Sequence, residues 1–189
     1  MPRMTLKNVR GAFLAIYSPK AFGEGDPAYG GKFIVPPDHP QRPEIKAAML
    51  QAAKDKWGDK AEAVLKVLID DKKVCYLERT YTNQKGDVYD GFEGNFYLSA
   101  RNGGDTPTKP SAFAADNSPA GPDSGIIYSG CYVDASVDIY AQDNKFGRRI
   151  NCSLRGVRFA GPGESFGGGA PASADEFGEP QAGAAADFV

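Results

Sequence analysis

Tyr128, Tyr132 and Tyr140 recur at even spacings, and Arg149 and Arg155 follow across a turn at Asp143-Asn144-Lys145-Phe146-Gly147. Even spacing puts side chains on one side of an extended chain. Residues 125–140 alternate strictly: Cys131, Val133, Ala135, Val137 and Ile139 form an apolar face, and Tyr128, Gly130, Tyr132, Asp134, Ser136, Asp138 and Tyr140 form the opposite one. This pattern predicts a half-buried antiparallel strand. Residues 148–159 return as its partner, with Ile150, Cys152 and Leu154 inward and Arg149, Ser153 and Arg155 outward. The outward face pairs flat π-surfaces with guanidinium groups. Such a surface can stack unpaired bases and neutralise phosphates, each stacked base contributing about 1–3 kcal/mol. The same rings would serve equally as cross-strand pairs or as packing beneath helices.

A second candidate surface comprises Tyr97 and Arg101, Lys109 in a long loop, and Lys20 and Lys32 flanking a Gly/Pro-rich segment. Singly these are ordinary surface residues, and a binding role requires that they converge. A third candidate is the C-terminal segment, where Asp175-Glu176-Phe177 and Asp187-Phe188-Val189 set acids beside an aromatic ring. Carboxylates there can stand in for phosphates and phenylalanine for a base. The segment could then occupy the chain's own binding surface, recruit partners, or serve only as a solubilising tail.

Catalytic and metal-binding constellations are weak by comparison. Asp87, Asp90 and Glu93 form the best carboxylate cluster, but Gly86, Gly91 and Gly94 around them predict a polar hairpin tip rather than a metal-ligating helix face. His39 is the only histidine, set in Pro-Asp-His-Pro, and supports no hydrolytic triad. Gly103-Gly104 lacks the following helix and the Lys-Ser/Thr of a phosphate-cradling loop. Cys75, Cys131 and Cys152 are odd in number, widely spaced and without a C-x-x-C pair, which argues against zinc and for reduced core thiols. No cofactor and no metal is expected.

The elements that must position these residues follow from periodicity. Residues 4–17 and 29–35 read as strands, the second ended by Pro36-Pro37. Ile45, Ala48, Met49 and Ala52 recur at helical spacing over 43–57. Asp59-x-x-Glu62 resembles a capping box before a second short helix carrying Ala61, Val64, Leu65 and Leu68. Trp57, at the junction, is expected to pack in the core. Lys73–Tyr81 and Gly91–Arg101 read as further strands separated by a turn at Asn83–Gly86. In the second of these, Tyr97, Ser99 and Arg101 oppose Phe92, Phe96 and Leu98. Residues 102–124 read as a long loop.

The 189 residues suffice for one domain with a core, and 41% apolar and 24% charged content fit a globular chain. Apolar runs fall short of the roughly 20 residues that cross a membrane, and the N-terminus lacks the pattern of a signal peptide. A cytoplasmic protein is expected. The net charge of −2 hides an asymmetry. No Lys or Arg follows Arg158, whereas Glu164, Asp175, Glu176, Glu179 and Asp187 do, leaving 22 basic and 19 acidic side chains in residues 1–159. The expected organisation is a basic domain over 1–160 and a disordered acidic Gly/Ala-rich tail over 161–189.

Tyr29-Gly-Gly-Lys-Phe-Ile-Val-Pro-Pro37, Ile127-Tyr-Ser-Gly-Cys-Tyr-Val133, Gly156-Val-Arg-Phe159 and Gly163-Glu-Ser-Phe-Gly-Gly-Gly169, in this order, resemble a family of phage single-stranded DNA-binding proteins long catalogued as a domain of unknown function. The resemblance covers about residues 3–169. It implies an OB-fold-like antiparallel five-stranded barrel with inserted helices, sequence-tolerant binding of single-stranded DNA in phage replication or recombination, no catalysis, and a place in the host cytoplasm. Partners would be single-stranded DNA and replication or recombination proteins reached through the tail, and a homo-oligomer is compatible with it. Tails of this class usually end on an aromatic residue. Here Phe188 is penultimate, which weakens the case for tail docking but not for DNA binding. A virion structural or assembly protein is the alternative, since a β-rich body with a tail suits that role too.

Overall fold

The computed structural model describes residues 2–21 and 24–166. Among these residues, seven strands form one sheet: β1 (Arg3–Lys20), β2 (Ala28–Val35), β3 (Tyr76–Leu77), β4 (Phe96–Asn102), β5 (Ser111–Phe113), β6 (Tyr132–Asn144) and β7 (Gly147–Gly161). Between β2 and β3 lie α1 (Arg42–Trp57) and α2 (Ala61–Asp70), joined by a 3-10 turn at Gly58–Lys60. The strand order is β3-β4-β2-β1-β6-β7-β5, antiparallel except for the β5–β7 pair.

β1 organises this sheet because it serves two partners. Its first half pairs with β6, from Arg3 opposite Asp138 to Arg10 opposite Tyr132, and its second half pairs with β2. Irregularities between Leu6 and Val9 and between Ala12 and Ala15 bend it. Asn8 and Phe13, within them, adopt φ values of 52° and 51°, uncommon for residues with a Cβ. The bends coil the sheet around Leu6, Val9, Phe33, Leu98, Val133, Ile139 and Leu154, all buried. α1 starts with a proline in its first turn, carries Glu44 there and Lys54 and Lys56 in its last, and stops at Gly58, in accord with the helix dipole and with glycine's tolerance of positive φ. Ile45, Met49, Ala52 and Ala53 of α1 and Leu65 and Leu68 of α2 add to the same core.

The expected mainly β architecture with inserted helices is present, but the sheet has seven strands rather than five, is mixed, and is not closed into a barrel by strand pairing. The strand expected over 73–81 shrinks to Tyr76–Leu77, and that over 91–101 begins only at Phe96. Residues 125–131 precede β6 rather than belonging to it, and the 102–124 loop contains β5. Asp59 does not cap α2, whose N-cap position is Lys60, without a side-chain hydrogen bond. Trp57 packs against the core as expected, and its indole N–H also donates to Asp143 Oδ2 at 2.9 Å. Cys75, Cys131 and Cys152 are buried and free.

The stretches of β4 and β7 that short β3 and β5 leave unpaired are joined by other means. The buried Asn102 Nδ2 donates to Leu154 O at 2.7 Å and to Thr108 O at 2.8 Å, while Leu154 N donates to Asn102 Oδ1 at 2.8 Å. The amide thus acts as a one-residue strand. Nearby, Ile150 N donates to Lys73 O at 3.1 Å and Ser99 N to Cys75 O at 2.8 Å, so residues 73–75 span the seam.

On the outer face of β1, β6 and β7, two aspartates tie up four cations. Asp138 accepts from Arg3 Nε at 3.0 Å and Arg155 Nη1 at 3.2 Å. Asp134 accepts from Arg158 Nη2 at 2.6 Å and the Asn8 backbone N–H at 3.0 Å, with Lys7 Nζ at 3.6 Å. Burial alone would raise both carboxyls, but the hydrogen bonds and positive charges outweigh it and hold them below the ordinary carboxylate value.

Asn102→Ala strands buried groups of Leu154 and should cost about 2 kcal/mol. A urea melt with an unchanged midpoint would contradict this account of the seam. Because the two aspartates are depressed, their stabilisation is complete above the ordinary value of 3.8 and is lost as pH falls below it. The double variant Asp134→Asn, Asp138→Asn should therefore melt lower than wild type at pH 6 and lose less on acidification from pH 4 to pH 2.

Candidate nucleic-acid interface

A groove follows the seam between β4 and β7. It consists of adjoining hollows of about 500, 540 and 500 Å³, in the size range of small-ligand sites. The first is walled by Phe13, Tyr29, Tyr81 and Tyr89, and shares Lys32, Ser99 and Arg101 with the second. The second adds Lys72, Tyr140 and Arg149 over buried Val74, Cys75 and Cys152, and the third adds Lys109, Asp138 and Arg155.

The aromatic end is built by a short hairpin that folds over the outer face of β2 and β4. Asn83 Oδ1 accepts from the Lys85 and Asp87 N–H groups to make its turn, and a bridge pairs Thr82 with Val88. The hairpin stacks Tyr81 on Tyr89, with ring centroids 4.9 Å apart and planes 18° apart. Phe13 meets Tyr89 edge-on at 5.2 Å, brought there by the left-handed bend in β1. Phe92 and Tyr97 back these rings and are buried.

Arg155 apart, which Asp138 neutralises, the groove's cations differ from those on the outer face of β1, β6 and β7 in being unneutralised. Among the described residues, Lys32, Lys72, Arg101, Lys109 and Arg149 make no ion pair with a carboxylate, and Arg101 is steered only by the Asp26 carbonyl at 3.0 Å. An arginine already bound to a carboxylate must give up that bond to hold a phosphate. The groove can therefore accept an anionic polymer at little internal cost, with flat rings at one end.

The residues singled out in the sequence divide accordingly. Lys32, Tyr97, Arg101, Lys109, Arg149 and Arg155 all line the groove, so the two candidate surfaces are largely one. Tyr97, at 5% exposure, is too buried to stack a base, and Arg155 is held by Asp138. Lys20 borders an apolar hollow that shares Phe13 and Tyr89 with the aromatic end. Tyr128 and Tyr132 lie elsewhere. The Tyr128 hydroxyl donates to Gly163 O at 2.8 Å and packs the segment after β7 onto the body, and Tyr132 is 37% exposed beside that segment. Asp175, Glu176, Phe177, Asp187 and Phe188 fall outside the described residues. Asp87, Asp90 and Glu93 form no metal-binding group among the described residues. Sequence reading missed Phe13, Tyr81, Tyr89 and Lys72. Only the placement of Tyr81 and Tyr89 on either side of the Asn83–Gly86 turn carried a signal.

Among the described residues no helix is long and apolar enough to cross a membrane. Residues 3–189 match the family described as Enterobacter phage Enc34, ssDNA-binding protein. A protein designated p50 of Acyrthosiphon pisum secondary endosymbiont phage 1 is 36% identical over 179 residues, covering 93% of this chain and 92% of its own length. The single-stranded DNA-binding protein of bacteriophage Enc34, in a complex with ssDNA, superposes with a TM-score of 0.70 at 21% identity, over 87% of this chain and 89% of that one. The gp2.5 single-stranded DNA-binding protein of bacteriophage T7 follows with a TM-score of 0.58 at 13% identity, over 89% and 90%.

Proposed function

The chain belongs to the family of the Enterobacter phage Enc34 ssDNA-binding protein, and from that membership we propose that it binds single-stranded DNA along the seam groove. One observation carries the placement: the cations without internal carboxylate partners line the same groove as an aromatic wall. Bases stack at the Phe13, Tyr81 and Tyr89 end. Phosphates run past Lys32, Arg101, Lys72, Arg149 and Lys109. Because stacking and phosphate contacts read no base edges, binding is sequence-tolerant, as coating and protecting DNA during phage replication or recombination in the host cytoplasm requires. The role is binding without catalysis, and no step in it calls for a cofactor.

The division into a binding body and an acidic tail over 161–189 belongs to the same reading. The segment after β7 supports it. Arg10 donates to Glu164 O at 2.6 Å and lies 4.1 Å from the Phe166 ring centroid, while Phe166 borders the hollow with Phe13, Tyr89 and Lys20. The tail therefore leaves the body beside the aromatic end of the groove. From there Asp175, Glu176, Phe177, Asp187 and Phe188 compete with DNA for the groove and, once displaced, engage replication or recombination proteins.

Fluorescence anisotropy with labelled single- and double-stranded oligonucleotides over a salt series tests both parts. Selective single-strand binding is expected, tightening in a chain ending at Phe166. Arg101→Ala and Arg149→Ala should each lower the salt slope by about 1, and Arg155→Ala by less. Tyr81→Ala should weaken binding by about 1–3 kcal/mol with the slope unchanged. Absence of salt-sensitive single-strand binding by either folded chain would overturn the proposal in favour of a virion structural role.

A further inference from the structure

Lys32 is set apart from the other groove cations by its surroundings. It sits on β2 opposite Ser99 of β4, at the junction of the aromatic and basic stretches. Its Nζ lies 4.4 Å from the Tyr81 ring centroid and 5.2 Å from that of Tyr97, and donates to Ser99 Oγ at 2.8 Å. That is its single hydrogen bond among the described residues, although an ammonium carries three donors.

Among the described residues, nothing around it supplies a counter-charge. The charged groups lining the two hollows that meet at Lys32 are Lys72, Arg101 and Arg149, all cations. The phenols are Tyr81 and Tyr97, both pushed above their ordinary value mainly by burial, together with Tyr29, Tyr89 and Tyr140. The thiols are Cys75 and Cys152, the latter raised by burial and by its contact with Cys75. None of these offers a carboxylate. A desolvated ammonium without an anion is costly, and the strand's only anionic groups are its phosphodiesters.

Resting on the single-stranded DNA reading of the groove, we propose that Lys32 seats a phosphate at the groove's centre and that the strand enters together with a proton. In the free protein, burial pushes Lys32 down to about 8. A phosphate against Nζ favours the charged form and returns it toward the ordinary range. The sign follows from linkage. Below pH 7 the lysine is already charged in both states and affinity is independent of pH. As pH rises through 8 the free protein loses the proton and the complex keeps it, so affinity falls. If the bound value lies near 10, binding should be about tenfold weaker at pH 9 than at pH 7. The aromatic walls then have two roles, since they desolvate the lysine and stack the base next to the phosphate it holds.

The measurement is the affinity of the full chain for a labelled oligothymidylate at constant ionic strength from pH 6.5 to 9.5, with titration calorimetry in two buffers of different ionisation enthalpy. Wild type should lose about tenfold and take up close to one proton per site at pH 9. Lys32→Arg, charged throughout, should bind with a flat profile. Lys32→Met should bind more weakly at pH 7 and also be flat. Wild-type affinity equal at pH 7 and pH 9, or a wild-type slope retained by Lys32→Arg, overturns the inference while leaving the DNA-binding reading intact. Failure of wild type to bind at any pH overturns that reading instead.

Discussion

The rest of this structure depends on a gap that strand pairing leaves between β4 and β7. A coiled sheet with one core must pair or cover its edge N–H and C=O groups, because buried ones left alone are costly. Here the Asn102 amide reproduces one strand's donor and acceptor toward Leu154, and residues 73–75 reach from Ser99 to Ile150. Both devices satisfy backbone without filling the space a full strand would occupy. The unfilled space is the groove, and its floor of Val74, Cys75 and Cys152 is the core seen from outside. Closing the seam by direct pairing would remove the groove, whereas leaving it unbridged would expose the core.

Charge is sorted by the same geometry. The β1, β6 and β7 face alternates cations and aspartates so that Arg3, Lys7, Arg155 and Arg158 are spent on Asp134 and Asp138. Across the seam, among the described residues, no carboxylate serves this purpose for Lys32, Arg101 or Arg149. A chain with more acidic than basic residues can thereby present a positive groove. Net charge is a poor guide to such a molecule, since what a polyanion meets is the cations that have no partner.

Much of this was legible in sequence, and the illegible parts share a cause. The alternation from Val133 to Ile139 marks the inward face of β6, because each of these residues is fully inside while Tyr132, Asp134 and Ser136 between and before them are not. Helical spacing from Ile45 to Ala52 marks α1 for the same reason. Periodicity fails where backbone is irregular. Gly91 and Gly94 at positive φ turn the chain before β4, and the left-handed residues in β1 redirect it in mid-strand. That second effect hid Phe13, whose side chain leaves the alternation and joins Tyr81 and Tyr89. Tyr97 shows the converse. Its face was readable from alternation, but the hairpin that buries it comes from residues 81–89, and no local pattern predicts such a cover. The parallel pairing of β5 with β7 is likewise a long-range outcome of a three-residue segment too short to signal itself.

The segment following β7 ties the two ends of this logic together. Gly130, at φ 115°, and Gly163 face one another so closely that a Cβ on Gly130 would meet the Glu164 carbonyl and one on Gly163 the Gly130 carbonyl. Backbone contact at that point lets Phe166 N donate to Ser129 O and turns its ring toward Phe13, Tyr89 and Phe92. An aromatic ring held at the aromatic end of a cationic groove is a covalently attached occupant of the hollow beside the proposed stacking site. The 23 residues beyond it could reach at most about 80 Å when extended, at the usual advance per residue. In the proposed competition between tail and DNA, the place where the tail is rooted therefore counts for more than the residues at the chain's end. On that proposal, rooting at Phe166 would make the encounter intramolecular and raise the effective concentration of the tail's acids at the groove without requiring any strong single contact.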